Sequence, residues 1–140
     1  MARTAAILVA RLIFGLVFAM AAAFKFKFVG MDATAAQIAG AGFPVPMLLA
    51  WVAAFFEVAL ALAFWTGLFF SKAAIVAAAY VLFLGVSFHG PDRWGGNPME
   101  FGFFVDHFTF IAGLLIAAVH GPGQALVPRR RTDHQKGDLP

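Results

Sequence analysis

The residues of this chain that could do chemistry are ionisable side chains set within or beside long apolar segments. They are Lys25, Glu57, His89, Glu100 and Asp106. A charged side chain at the centre of a bilayer costs roughly 2.5–3.5 kcal/mol on insertion scales, so such residues turn inward and find partners. Ammonium, imidazole and carboxylate groups that meet there can exchange protons or stabilise negative charge. We therefore treat them as candidate pocket or proton-handling residues.

Helical spacing indicates that these side chains share one interior. Residues three or four apart lie on the same face of a helix. In each apolar segment the ionisable residues recur at this spacing with Gly or Ala, which membrane helices place at close contacts. The predicted inward stripes are Arg11, Gly15, Phe18, Ala22 and Lys25; Ala50, Ala54, Glu57, Ala61 and Phe64; Ile75, Ala78, Leu82, Gly85 and His89; and Gly102, Asp106, Thr109, Gly113, Ala117 and His120. We expect the stripes to face one another.

Depth along the helices suggests how the deepest carboxylate is neutralised. At 1.5 Å per residue, Glu57 lies about 18 Å and Arg11 about 25 Å below the same membrane surface. An arginine side chain spans this difference, so we predict a structural ion pair between Arg11 and Glu57. The alternative is a protonated, neutral Glu57.

The remaining candidates lie near one membrane surface. Counted from the segment ends, Lys25, His89 and Asp106 fall within roughly 3–8 Å of the outer boundary. They could form a shallow polar pocket with Glu100 and His107 at its rim. His107 lies about 100° around the helix from Asp106, so only one of them can point fully inward, and the spacing favours Asp106.

Four apolar runs must position these residues. The chain has 140 residues, of which 62% are hydrophobic and 12% charged, whereas a soluble domain carries about 25% charged residues. A spanning helix needs about 20 mostly apolar residues. The runs predict an all-α, four-helix transmembrane bundle within residues 1–127, with helices at about 5–28, 46–70, 73–89 and 101–120. Residues 128–140 are polar and charged, which predicts a disordered cytoplasmic tail.

The distribution of basic residues predicts the orientation of the bundle. One side of the membrane would carry seven of them, namely Arg3, Arg11, Lys72, Arg129, Arg130, Arg131 and Lys136. The other side would carry three, Lys25, Lys27 and Arg93. Because the cytoplasmic side holds the excess, we expect an antiparallel up-down bundle in the inner membrane, with both termini in the cytoplasm. The longer loops, at 29–44 and 90–100, would then face outward.

Composition and motifs argue against several classes of site. The chain has no cysteine, and therefore no disulfide, thiolate metal site or CxxC redox motif. It has no Gly-rich phosphate loop or nucleotide fingerprint, and its basic residues lie beside apolar segments or in one short tail, a pattern of membrane orientation rather than of nucleic-acid binding. His89 and His107 could hold a haem between helices, but no HxxxH pair accompanies them. We expect no metal, haem or nucleic acid.

Several motifs in this order resemble the DoxX family of membrane proteins. They are Arg11-Leu12-Ile13-Phe14-Gly15 with Lys25 fourteen residues after Arg11, Gly42-Phe43-Pro44, Glu57, Thr66-Gly67-Leu68, His89, Glu100 and Gly121-Pro122-Gly123. The resemblance covers roughly residues 10–126. Shortly before the lysine, the family usually has Gly, often after His, whereas this chain has Ala21 and Ala22. The absence of that His puts in doubt any chemistry that would use it.

The resemblance implies a link to redox chemistry. DoxX proteins resemble the DoxD subunit of thiosulfate:quinone oxidoreductase, and some are linked to redox and thiol-stress partners. By that similarity, Lys25, Glu57, His89 and Glu100 are the positions that carry over as candidate site residues.

These observations lead to one main hypothesis and two alternatives. The main hypothesis is a subunit of a quinone-linked oxidoreductase that binds quinone or quinol in the outer-facing pocket. His89 or Asp106 would exchange protons with the quinone oxygens, Lys25 would stabilise negative charge and Glu57 would relay protons, while a partner subunit supplies electrons. The alternatives are a non-catalytic scaffold for partner subunits and a small-solute or proton transporter, which would need these four helices to form a homo-oligomer.

Overall fold

A computed structural model describes residues 2–123, and this part of the chain is helical without strands. Its elements, in chain order, are α1 (Ala2–Ala23), which continues into a π-helical turn (Phe24–Phe28), α2 (Met31–Gly40), α3 (Pro46–Thr66), α4 (Phe70–His89), a 3-10 turn (Pro91–Arg93) and α5 (Pro98–His120). The predicted tail, 128–140, lies outside the described residues.

Four helices of the described part are long and apolar enough to cross a membrane. They are Thr4–Phe28, Pro46–Thr66, Phe70–Arg93 and Pro98–His120. The prediction of an all-α protein with four candidate membrane spans is therefore confirmed.

Capping residues set the helix ends and explain the differences from the predicted bounds. α3 begins at Pro46, as predicted, because proline suits the first turn of a helix. It ends four residues early because Gly67 adopts a left-handed conformation, φ 72°, that terminates the helix. α4 consequently starts at Phe70 rather than 73. α5 starts at Pro98 rather than 101, because the side chain of Asn97 caps its first turn.

α2 is the helix that the sequence analysis missed, since it lies where we expected an outer loop at 29–44. It buries Thr34, Ala35 and Ile38, and the last two pack in one cluster with Ala50 of α3. With ten residues it is too short to span a membrane, and four of them are alanine, which gives little apolar periodicity. Its stability therefore depends on contacts with α3 that only the folded chain provides.

The core closes one end of the bundle. The rings of Phe18 and Phe64 stack with centroids 5.8 Å apart, and Phe64 meets Phe70 edge-on at 5.5 Å. Ala74 and Ala77 are fully buried, so α4 approaches its neighbours closely. The contact between Phe64 and Phe70 holds α3 and α4 together near the short turn that joins them, and α2 packs against α3 at the opposite end.

The predicted stripes are correct for the first two spans and wrong for the last. Every residue of the stripe on α3 is buried, as are those on α1 except Lys25, which is partly buried. On α4 the structure buries Ala78 and Gly85 but exposes Ile75 and Leu82. On α5 it exposes four of the predicted inward residues, Gly102, Asp106, Thr109 and His120. The inward face of α5 is instead the row His107, Phe110 and Leu114, whose larger side chains fill the space beside α1 and α4.

Candidate functional site

One group of polar contacts inside the bundle joins Lys25, Glu57 and Tyr80, which we call the floor cluster. The Lys25 ammonium lies 2.8 Å from each carboxylate oxygen of Glu57, and the Tyr80 hydroxyl donates to Glu57 Oε1 at 2.9 Å. The Glu57 side chain is 2% exposed and the Lys25 side chain 22%. Three helical segments thus meet at one carboxylate, which has three charge-assisted hydrogen bonds.

The predicted ion pair between Arg11 and Glu57 is wrong, because Glu57 pairs with Lys25. Arg11 is almost fully buried and donates to the carbonyl oxygens of Phe64 at 3.1 Å, Trp65 at 2.8 Å and Pro122 at 3.1 Å. The last carbonyls of a helix have no partner within the helix, and a cation satisfies them well. Arg11 therefore caps the end of α3 and ties it to α1 and to the chain after α5.

Lys25 is presented by a π-helical turn at the end of α1. The turn is closed by a hydrogen bond of 2.8 Å from the Val29 N–H to the Phe24 carbonyl. The Lys25 ammonium also lies 3.5 Å from the Ala21 carbonyl, one helical turn earlier. Such turns are rare and occur frequently at functional sites. The side chain is thus held by the backbone and by Glu57 at once.

A second polar group lies at the ends of α4 and α5, and we call His89 and Glu100 the rim cluster. His89 Nδ1 lies 2.6 Å from Glu100 Oε2, and the indole N–H of Trp94 donates to the His89 carbonyl at 2.9 Å. The rings of His89 and His107 lie 5.2 Å apart. Gly85 makes this possible, because a Cβ there would approach the His107 side chain to 3.1 Å. Because Gly85 has no side chain, α5 can lie close against α4.

Both clusters border one cavity of about 930 Å³ between α2, α3 and α4. Lys25 and Tyr80 contribute to its floor, and His89, Glu100 and Arg93 lie at its rim. Its walls are mainly apolar and include Val52, Phe56, Phe83, Leu84 and Phe88, while Thr34 and Gln37 of α2 cover it. Ligand cavities typically have volumes of about 300–1,000 Å³, apolar walls and a few polar groups. This cavity can hold a flat apolar ring with a polar group at each end.

Asp106 does not line this cavity. Its side chain is exposed and borders a smaller groove of about 380 Å³, together with His89 and His107. His107, which we placed at the rim, is half-buried and faces α4. The structure therefore brings together four of the five candidates, with Asp106 on the far side of His89.

Tyr80 is the residue of the floor cluster that the sequence analysis missed. A signal was available, since Tyr80 is the only tyrosine of the chain and lies midway along an apolar segment. A phenol buried in a membrane helix requires a hydrogen-bond partner, as does any buried tyrosine. Thr34 and Gln37 were missed because the helix that carries them was not expected.

Comparison with known proteins identifies the family of this chain. The DoxX family model matches residues 6–90, a range that includes Lys25, Glu57, Tyr80 and His89. The chain belongs to the DoxX family. It is 34% identical over 137 residues to the inner membrane protein YphA of Escherichia coli strain K12, with 92% of each chain covered. No solved structure gives a significant match.

Membership of the DoxX family agrees with the four candidate spans. Together with the inner-membrane relative, they make this DoxX protein a multi-pass protein of the inner membrane, with helices in contact with lipid. Exposed apolar side chains on every span are accounted for by that contact.

Proposed function

We propose that this DoxX protein is a redox-associated membrane subunit that binds a quinone or quinol in the cavity between α2, α3 and α4. The observation that carries the proposal is the presence of a polar floor and a polar rim in one cavity with aromatic and aliphatic walls. A quinone is a flat apolar ring with an oxygen at each end. It therefore needs polar partners at two ends and apolar contacts on its faces.

The groups around the cavity suit the oxygens of such a ring. At the floor, Lys25 gives two of its three N–H donors to Glu57 and can direct the third to a carbonyl oxygen. The single O–H of Tyr80 donates to Glu57, so its oxygen can accept from a quinol hydroxyl. At the rim, His89 and Glu100 lie within hydrogen-bond distance of each other, so a quinol hydroxyl can donate to either. Apolar side chains such as Phe56 and Phe83 provide the contacts for the faces of the ring.

The proposed role of these residues is proton transfer and charge stabilisation. Oxidation of a quinol releases two electrons and two protons, and reduction of a quinone takes up the same numbers. His89 and Glu100 accept or return protons at the rim, the Lys25 ammonium stabilises negative charge on the ring oxygen, and Glu57 relays protons at the floor. The electrons pass to or from a partner oxidoreductase subunit.

The proposed orientation sets the cavity near the outer face of the membrane. The spans alternate in direction as an antiparallel bundle, with both termini and the tail at 128–140 in the cytoplasm. The support is the excess of Lys and Arg on that side, seven against three. The protons of the quinol would then be exchanged with the outer side.

Quinone content of the purified protein tests the proposal. We expect wild-type protein, extracted in mild detergent, to carry quinone detectable by liquid chromatography and mass spectrometry. Lys25→Met and His89→Gln should lower the content at least about tenfold, since each removes a polar partner of the ring. Lys27→Met and His120→Gln are matched controls, because both side chains are exposed and neither lines the cavity. Wild-type protein that neither carries nor takes up added quinone would refute the function.

The same variants separate the two alternatives. The hydrogen bonds of Arg11 and the floor cluster lock helices together, as a scaffold for partner subunits requires. In a scaffold, the wild-type protein should bind no quinone, and replacing Lys25 should lower stability and assembly alone. A transporter should show solute or proton flux in vesicles that depends on Glu57.

A further inference from the structure

The geometry points to a ligand whose long apolar tail leaves the cavity sideways, between α3 and α4, into the hydrocarbon of the bilayer. This inference rests on the proposed quinone site and specifies its ligand as a membrane quinone with an isoprenoid tail rather than a water-soluble ring. It also assigns Val52 and Phe83 as the residues that line the exit of the tail.

Exposed residues of two opposite chemistries line the cavity, and we infer an opening at each pair. One opening is polar and lies beside Gln37 and Arg93, which line the cavity and are both exposed. The other is apolar: Val52 is 55% exposed and Phe83 is 47% exposed, although both line the cavity. A ligand that fits both openings has a polar head and an apolar tail.

The two residues that flank the apolar opening, Val52 and Phe83, lie at the same depth within their spans. Val52 is six residues after the start of α3 and Phe83 six residues before the end of α4, which sets each about 9 Å inside the span. The hydrocarbon core of a bilayer is about 30 Å thick, so lipid chains rather than water surround these side chains. A tail passing between them reaches the hydrocarbon without crossing the headgroup region.

The structure bounds this opening from below and from above. Below, the hydrogen bond from Tyr80 to Glu57 joins α4 to α3. Above, the Phe43 ring lies 5.6 Å from that of Phe83 and 6.3 Å from that of Phe88, so the segment before α3 covers the top. The opening is therefore a defined side gap, and the floor cluster lies at its base, where a ring with its tail in the gap would place one oxygen.

A single thiol in the gap tests the inference directly. The chain has no cysteine, so Val52→Cys provides one reactive site that can be alkylated after the protein is folded and purified. Leu62→Cys is the control, because it lies on the same helix, is 53% exposed and does not line the cavity. Binding of decylubiquinone and of the tail-less ring ubiquinone-0 would be measured for each protein before and after reaction with pyrenyl maleimide, with thermal unfolding to check the fold.

The expected result is a loss that is specific to the tail. Alkylated Val52→Cys should bind decylubiquinone at least about tenfold more weakly, while its affinity for ubiquinone-0 and both affinities of alkylated Leu62→Cys stay within about twofold. Equal losses for both quinones, or no loss, overturn the side exit but leave the quinone site intact. If unmodified wild-type protein binds neither quinone, the proposed function and this inference are both overturned.

Discussion

Glu57 is the residue on which the polar interior depends. Its carboxylate accepts three hydrogen bonds, two from Lys25 and one from Tyr80, and its side chain is almost fully buried. Because this carboxylate is almost fully buried, water replaces a lost partner poorly, so each of these donors affects the folding of the chain as well as any chemistry in the cavity. The pair of Lys25 and Glu57 therefore both stabilises the fold and forms part of the candidate site.

Replacing Lys25 by Met should destabilise the protein by about 3 kcal/mol, because it leaves a buried carboxylate without its counter-ion. The measurement is reversible unfolding in mixed micelles. In the double variant with Glu57→Gln, most of the loss should be recovered, since no buried charge remains.

Lys27 supplies the matched control for this prediction. It lies on the same π-helical turn but is exposed, so Lys27→Met should change the free energy of unfolding by less than about 0.5 kcal/mol. Equal effects at the two lysines would contradict the floor cluster.

At the residue scale, the sequence was sufficient to select Lys25 and Glu57 but not to pair them. Their positions followed from helical spacing and from the cost of exposing charge to lipid. The predicted partner was wrong because the depth estimate compared backbone positions and allowed for the reach of only the Arg11 side chain. It ignored the reach of the Lys25 side chain, whose four-carbon stem carries the ammonium deep into the bundle.

At the element scale, capping explains why α1 and α3 stay in register. Arg11 supplies donors to the carbonyls of Phe64 and Trp65 at the end of α3, a task that no backbone N–H performs within a helix. The inward face of α5 was mispredicted because helical spacing does not measure the volume of the side chains. Spacing alone selected the polar row at Asp106, whereas packing volume selected the row at His107, where Gly85 of α4 leaves room.

Arg11→Met should lower the free energy of unfolding by at least about 2 kcal/mol, because buried carbonyl groups lose their donors. Arg11→Lys should recover only part of this, since one ammonium cannot reproduce the planar fork of the guanidinium. Thermal unfolding of detergent-solubilised protein measures both effects. The exposed Lys72, at the start of α4, provides the control as Lys72→Met. An Arg11→Met protein as stable as Lys72→Met would exclude the capping role.

At the scale of the whole molecule, the bundle is closed by aromatic packing at one end and open around a cavity at the other. The number and order of the spanning helices could be predicted from composition and hydrophobic length, because the bilayer imposes both. The cavity could not be predicted, since it depends on the unpredicted α2 and on how α3 and α4 pack in the folded chain. Neither leaves a periodic signal in the sequence. The proposed function depends on that open end, because the cavity lies there.

Photolabelling with a membrane quinone that carries an azido group on its ring tests the central claim most directly. Peptide mapping by mass spectrometry should find the label on residues that line the cavity, chiefly Lys25, Tyr80 and Phe83, and excess unlabelled quinone should suppress it. Label confined to the exposed face of α5, at Gly102, Asp106 and Thr109, or label that unlabelled quinone does not displace, would contradict the account.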